Sequence, residues 1–157
     1  MDEHQAANRD LAALTEEQCL GYLRAGHIGR VGLVVAGRTQ ILPVNYAADD
    51  NGRVVFRTSA SSVLNEVASA EVTFEIDGAD DVSRTGWTVQ LFGRGQEITR
   101  ARGDDAATLR ELPVEPWATD RTAWYLLTPN EIIGRALVIR SRPDHNDEGW
   151  FAGIPSS

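Results

Sequence analysis

The stretch Arg57-Thr58-Ser59-Ala60-Ser61-Ser62 has residue types suited to holding an anion. A predicted strand ends there in a cation and a hydroxyl. Ser61 and Ser62 follow at the start of a predicted short helix. A helix start offers backbone N–H groups and a positive dipole end to an anion. Arg57 would add a charge-assisted, bidentate contact. An ordinary strand-to-helix turn with serine caps uses the same residues. From the chemistry alone both readings stand.

Other catalytic signatures are missing. His4, His27 and His145 are scattered without metal-ligand spacing, so no metal site is expected. There is no G-x-S-x-G elbow and no P-loop. Gly93-Arg94-Gly95 lacks the third glycine and the following helix of a dinucleotide fingerprint. Glu75 and Asp77 share one strand face and could pass for paired carboxylates, but a solvated face is the expected reading. No convincing catalytic acid or base emerges, and the catalytic residues stay unassigned.

Composition excludes further classes. All 15 basic residues are arginine, which rules out Schiff-base chemistry on a lysine. A bound phosphate must therefore be held by arginine, hydroxyls and backbone N–H groups. The net charge is -8, and no basic cluster suits nucleic acid or an anionic membrane surface. No apolar run is long enough to span a bilayer. The start, Met1-Asp2-Glu3-His4, is acidic and polar, unlike a secretory signal. Cys19 is the single cysteine, so a cytoplasmic setting is expected.

The elements that must position the turn follow from periodicity. Residues 1–10 are expected to be a flexible N-terminus. Thr15 and Gln18 have capping-box spacing, with Leu14 and Cys19 placed as the staple. That helix runs to Gly26. Period-two patterns then predict strands around Val31–Val35, Ile41–Tyr46, Arg53–Thr58, Val72–Asp77 and Trp87–Leu91, the last continuing toward Ile98. Pro43 demands an edge or a bulge. Asn51-Gly52 signals a hairpin. A short helix carries Val63, Leu64 and Val67 on its apolar side, and Gly78–Thr85 reads as a charged loop. A further helix starts at Asp104 or Asp105, carries Leu109 and Leu112, and stops at Pro113. Two last strands, Ala123–Leu127 and Ala136–Ile139, precede a tail over 141–157 that Trp150 and Phe151 could pin. The fold predicted is mainly β: six or seven antiparallel strands in a barrel over 11–140, with short peripheral helices.

Several segments recur here in a familiar order: Leu42-Pro43-Val44-Asn45-Tyr46, Val55-Phe56-Arg57-Thr58, Phe74-Glu75-Ile76-Asp77, Gly86-Trp87-Thr88-Val89 and Phe92-Gly93. Pro116-Trp117 and Ile133-Gly134-Arg135 fit as well. In these the chain resembles the pyridoxamine 5′-phosphate oxidase-like, FMN-binding split-barrel proteins, in particular their short actinobacterial-type branch. The resemblance implies a split β-barrel that dimerises and binds a flavin between its subunits. It implies that Leu42, Pro43, Val44 and Asn45 line the flavin ring through their backbone. It places Arg57, Thr58, Ser61 and Ser62 in the phosphate turn and Thr88, after Trp87, at a polar contact to the ring. Trp87 has an ordinary reading as a core residue.

One departure stands out. The family's turn carries a lysine where this chain has Val63. The resemblance implies FMN, with a deazaflavin as a variant, in an oxidoreductase acting on a small molecule. Val63 also admits a non-catalytic dimer, one that has lost its flavin and holds haem, a nucleotide or nothing.

Overall fold

The structure, a computed structural model, describes residues 8–59, 62–68, 70–115 and 118–140. Its seven strands are β1 (Asn8–Ala13), β2 (Ile28–Val35), β3 (Arg38–Ala48), β4 (Val54–Thr58), β5 (Glu71–Asp80), β6 (Thr85–Glu97) and β7 (Ala123–Arg140). Helix α1 spans Glu16–Ala25 and α2 spans Asp104–Arg110, and a 3-10 helix covers Val63–Val67. Among the described residues no helix is long and apolar enough to cross a membrane.

All strand pairs are antiparallel, in the order β1-β7-β4-β3-β2-β5-β6. Strand β6 pairs again with β7, which closes six strands into a barrel and leaves β1 on the outer margin of β7. Alternation turns Val31, Tyr46, Phe56, Phe74, Val89 and Leu127 inward, where all are essentially fully buried. Strand β4 reads as an apolar run because its outward residue is covered too. Val55 joins Ile98, Leu126 and α2's Leu109 in a second cluster outside the barrel.

Helix α1 starts as its sequence predicts. Gln18 N–H donates to the Thr15 hydroxyl at 3.2 Å, and the Gln18 side chain accepts from Thr15 N–H at 2.9 Å. The Asn51-Gly52 hairpin also forms. Gly52 takes φ +77°, and the Asp49 carboxylate accepts from the N–H groups of Asn51 and Arg53. Pro43 pairs with Arg30 on β2, but the β3–β4 ladder runs only from Tyr46 to Ala48. Pro43 therefore sits at a local edge, where its missing N–H breaks no bond to β4.

Four expectations are corrected. Residues 8–10 are part of β1, because Arg135–Arg140 offers a ladder edge that pairs by backbone whatever the side chains. The hairpin of β5 and β6 reaches Asp80 and Thr85, so the turn is confined to 81–84. The two last strands are one strand of 18 residues. Pro129 lies within this strand at a register shift opposite Phe92 and Gly93, where a ladder tolerates proline. Finally, the turn after Ser62 is a 3-10 helix. Its three residues per turn stack Leu64 over Val67, both buried, and leave Val63 half-buried outside the core cluster.

Candidate functional site

The site is built from the end of β4. Arg57 and Trp124 are direct partners across the β4–β7 ladder, and the Arg57 guanidinium carbon lies 5.1 Å from the Trp124 ring centre. This cation–π contact holds the guanidinium over the Trp124 ring. The Arg57 Nε is buried and has no hydrogen-bond partner. A buried N–H left unsatisfied costs on the order of 1–3 kcal/mol, so the position favours an acceptor. Thr58, the next residue, is fully buried, and its hydroxyl accepts from Arg121 Nη1 at 3.4 Å.

Ser62 follows at the 3-10 helix. Its hydroxyl oxygen accepts from Leu64 N–H at 3.1 Å, leaving the hydroxyl hydrogen to donate. A five-residue 3-10 helix has little dipole to offer, so the anion reading now rests on the arginines. Ser61, Pro116, Trp117, Trp150 and Phe151, together with His4 and His145, lie outside the described residues.

The other candidates divide by strand face. Val44 is buried toward the core, and Leu42 packs against it from the same side of β3. Pro43 and Asn45 alternate to the outer wall. Asn45 and Arg57 fall one position beyond the last β3–β4 pair, Tyr46–Phe56, and share that outer face. The Asn45 side-chain amide donates to the Glu115 carbonyl.

Farther round the same wall lies a polar network. Arg30 Nε donates to Glu75 at 3.0 Å and Arg30 Nη2 to Asp77 at 2.5 Å. The Thr88 hydroxyl donates to the second Glu75 oxygen at 3.2 Å. The bond to Asp77 is the main reason the Arg30 pKa is raised. Glu75 and Asp77 thus share one arginine on this face, in line with their expected structural reading.

Trp87 points the other way. Its ring stacks on Tyr22 of α1 at 3.9 Å, and it lines a cleft of about 360 Å³ with Gln18, Asp80 and Thr85. Trp87 is therefore a packing residue on the face opposite Thr88. Thr88 in turn pairs with Arg135 of β7, well beyond Leu127 where the β4–β7 ladder ends, so it is separated from Arg57 along the length of the barrel. Within one chain this wall is open. Beside the network, Gly32 leaves a shallow groove of about 560 Å³ bordered by Val34, Ile41, Thr73 and Phe92. Val34 and Ile41 are both 68% exposed there.

Among the described residues no group of histidine, cysteine or carboxylate side chains could hold a metal. The donors fit a phosphate: a buried orphan N–H on Arg57, the Ser62 hydroxyl and a second arginine, while Thr58 alternates inward with Phe56 and anchors that arginine. Sequence reasoning missed that second arginine. Arg121 joins the site only through the pairing of β4 with β7, which no local pattern reveals.

A closed antiparallel barrel with one long strand shared between its walls defines a split β-barrel. The chain belongs to the pyridoxamine 5′-phosphate oxidase family, whose model matches residues 15–136. It is 28% identical over 143 residues to the uncharacterized protein Rv0080 of Mycobacterium tuberculosis, an alignment covering 85% of this chain and 90% of that protein. Among solved structures it is similar to the FAD binding protein of Mycobacterium smegmatis, with 26% identity and a TM-score of 0.67 over 80% of this chain and 98% of the other. A conserved protein of unknown function from Corynebacterium diphtheriae matches equally, at 26% identity and TM-score 0.67, over 82% of this chain and 98% of that one.

Proposed function

We propose that this chain binds a flavin, FMN in the first place, and works as a homodimeric oxidoreductase on a small molecule. The observation that carries the reading is the buried, partnerless Nε of Arg57 at the end of β4. A phosphate oxygen there satisfies the N–H and neutralises the guanidinium in one contact. Ser62 adds a hydroxyl, Thr58 anchors Arg121 at the strand end, and the outer backbone of Leu42 to Asn45 supports the ring. Family membership and the similarity to a mycobacterial FAD binding protein support a flavin over other anions. A deazaflavin with the same phosphate is the nearest variant.

When bound, the flavin supplies the hydride or electron transfer. The chain's residues grip, orient and shield it. Arg30 pairs with both Glu75 and Asp77, which favours a structural role for the two carboxylates. The second subunit follows from the convex wall: a ring lying on it keeps one face in water until another copy covers it. The exposed Val34 and Ile41 give that copy an apolar seat.

The spectrum of the purified protein tests the reading. Visible flavin absorption that survives desalting, or saturable binding of added FMN, is the expected result. A colourless protein that ignores FMN favours the second reading, a non-catalytic dimer, for which the specific observation is Val63 at the lysine position.

A further inference from the structure

We propose that Arg121 is the second cation of the phosphate site and replaces the lysine lost at Val63. The inference rests on the flavin reading above and assigns part of its phosphate grip. Arg121 lies two residues before Ala123, the first residue of β7 and the ladder partner of Thr58. The start of β7 thus brings Arg121 to the strand end that presents Arg57.

The guanidinium of Arg121 is under-used. Its Nη1 reaches Thr58 at 3.4 Å, long for a hydrogen bond. Its Nε lies 3.9 Å from Asp120, whose side chain is 70% exposed and easily hydrated. Arginines with structural duties here look different. Arg53 holds Asp49 at 2.6 Å and both oxygens of Asp105 at 2.9 and 3.0 Å. Arg110 holds the carbonyls of Ile98 at 2.6 Å and Ala101 at 2.9 Å. Arg30 is engaged by two carboxylates. Arg121 keeps most of its five N–H donors uncommitted, and it is only 30% exposed.

Charge supplies the need. A phosphate monoester is close to a dianion at neutral pH. One arginine leaves about one charge uncompensated in a partly desolvated turn. Val63 contributes none, and the chain has no lysine anywhere. Arg57, which precedes Thr58 on β4, and Arg121, which reaches the Thr58 hydroxyl, come to the same strand end and together match the charge. Two planar forks also fix the phosphate orientation, where an ammonium acts as a point charge.

Comparing FMN with riboflavin isolates the phosphate, because the two differ only there. Quenching of flavin fluorescence gives both dissociation constants for the intact protein. The parent is expected to prefer FMN. Arg121→Ala is expected to lower FMN affinity about 10- to 100-fold while riboflavin affinity stays within about twofold. Arg121→Lys recovers part of the loss, since it keeps the charge without the fork. An unchanged FMN-to-riboflavin ratio in Arg121→Ala, with the ratio still reduced by Arg57→Ala, overturns the role of Arg121 and leaves the flavin reading intact. The same unchanged ratio with a lowered melting temperature shows a mere brace for Thr58 and also overturns it. A parent that binds neither flavin overturns both readings together.

Discussion

The Arg57 guanidinium lies 5.1 Å from the centre of the Trp124 ring, directly across the β4–β7 ladder. The ring satisfies the face of the cation and leaves the edge, with its buried Nε, unpaired. Removing the side chain deletes a charged and partly desolvated donor. Arg57→Ala is expected to weaken FMN binding by about 2–4 kcal/mol. Titration by fluorescence checks it, and equal affinity in parent and variant would move Arg57 out of the site.

Val63 offers the reverse test. It is half-buried and outside the core cluster, while Leu64 and Val67 carry the packing. Val63→Lys is therefore expected to fold with little change in melting temperature and to tighten FMN binding by roughly 1–3 kcal/mol. Melting curves with and without FMN report both quantities, because a ligand of the native state raises the transition. A destabilised variant indifferent to FMN would show that the 63 side chain does not face the phosphate.

Gly95 holds the turn from behind. A Cβ placed there would stand 2.1 Å from the Val67 carbonyl oxygen, and Gly95 N–H donates to Ala70 at 3.0 Å. Gly95→Ala must push β6 away from the 3-10 helix. We expect a loss of about 1–3 kcal/mol in chemical denaturation. FMN binding should weaken with it, since the displaced segment carries Ser62. An undiminished unfolding free energy would mean the two segments part at little cost.

The dimer is tested on the outer wall. Interfaces of obligate homodimers commonly bury on the order of 2,000 Å² or more. Light scattering at micromolar concentration is expected to give twice the chain mass. Ile41→Asp leaves the barrel interior untouched, as Ile41 is 68% exposed, and is expected to give a monomer that retains flavin poorly. A parent that scatters as a monomer removes the shared site.

Arg53 makes a pH prediction. Its hydrogen bonds to the Asp105 carboxylate hold that carboxyl below its ordinary value. A depressed pKa stabilises the fold above the unfolded value and loses that contribution as pH falls through the folded one. Asp105→Asn should thus lower the melting temperature slightly at pH 7, and the difference should shrink as pH falls below the ordinary aspartate value and vanish once it is under the folded one. A difference that persists in acid would point to packing instead of charge.

Local signals made much of this fold legible. Thr15 and Gln18 fixed the start of α1, and the Asn51-Gly52 pair fixed a hairpin, because both act within a few residues. The alternation of Val72, Phe74 and Ile76 marked a wall with one buried face. What escaped depends on distant partners. Asn8 to Asp10 carry no periodic signal and became a strand through Val138–Arg140. The continuity of β7 past Pro129 depends on a register shift opposite Gly93, which no local pattern reveals. In the site, Arg57 and Thr58 could be picked out from their types and order. Trp87 could not be placed from composition, since only Tyr22 shows which way it faces. Arg121 was invisible until β7 met β4.

Strand β7 also sets when the barrel can exist. Its first half lies between β4 and β6, and its second half between β6 and β1, so Asn8 is paired with Arg140. Pairings of such sequence separation form slowly, because loop closure must come before the contacts that reward it. A nascent chain lacking β7 exposes the margins of β4 and β6 as open templates for other chains. The contact of Arg57 with Trp124 cannot form at that stage either, since Trp124 lies on β7. On the flavin reading, cofactor capture waits for the pairing of β7, and FMN is expected to speed refolding only after the β7 amides become protected from hydrogen exchange.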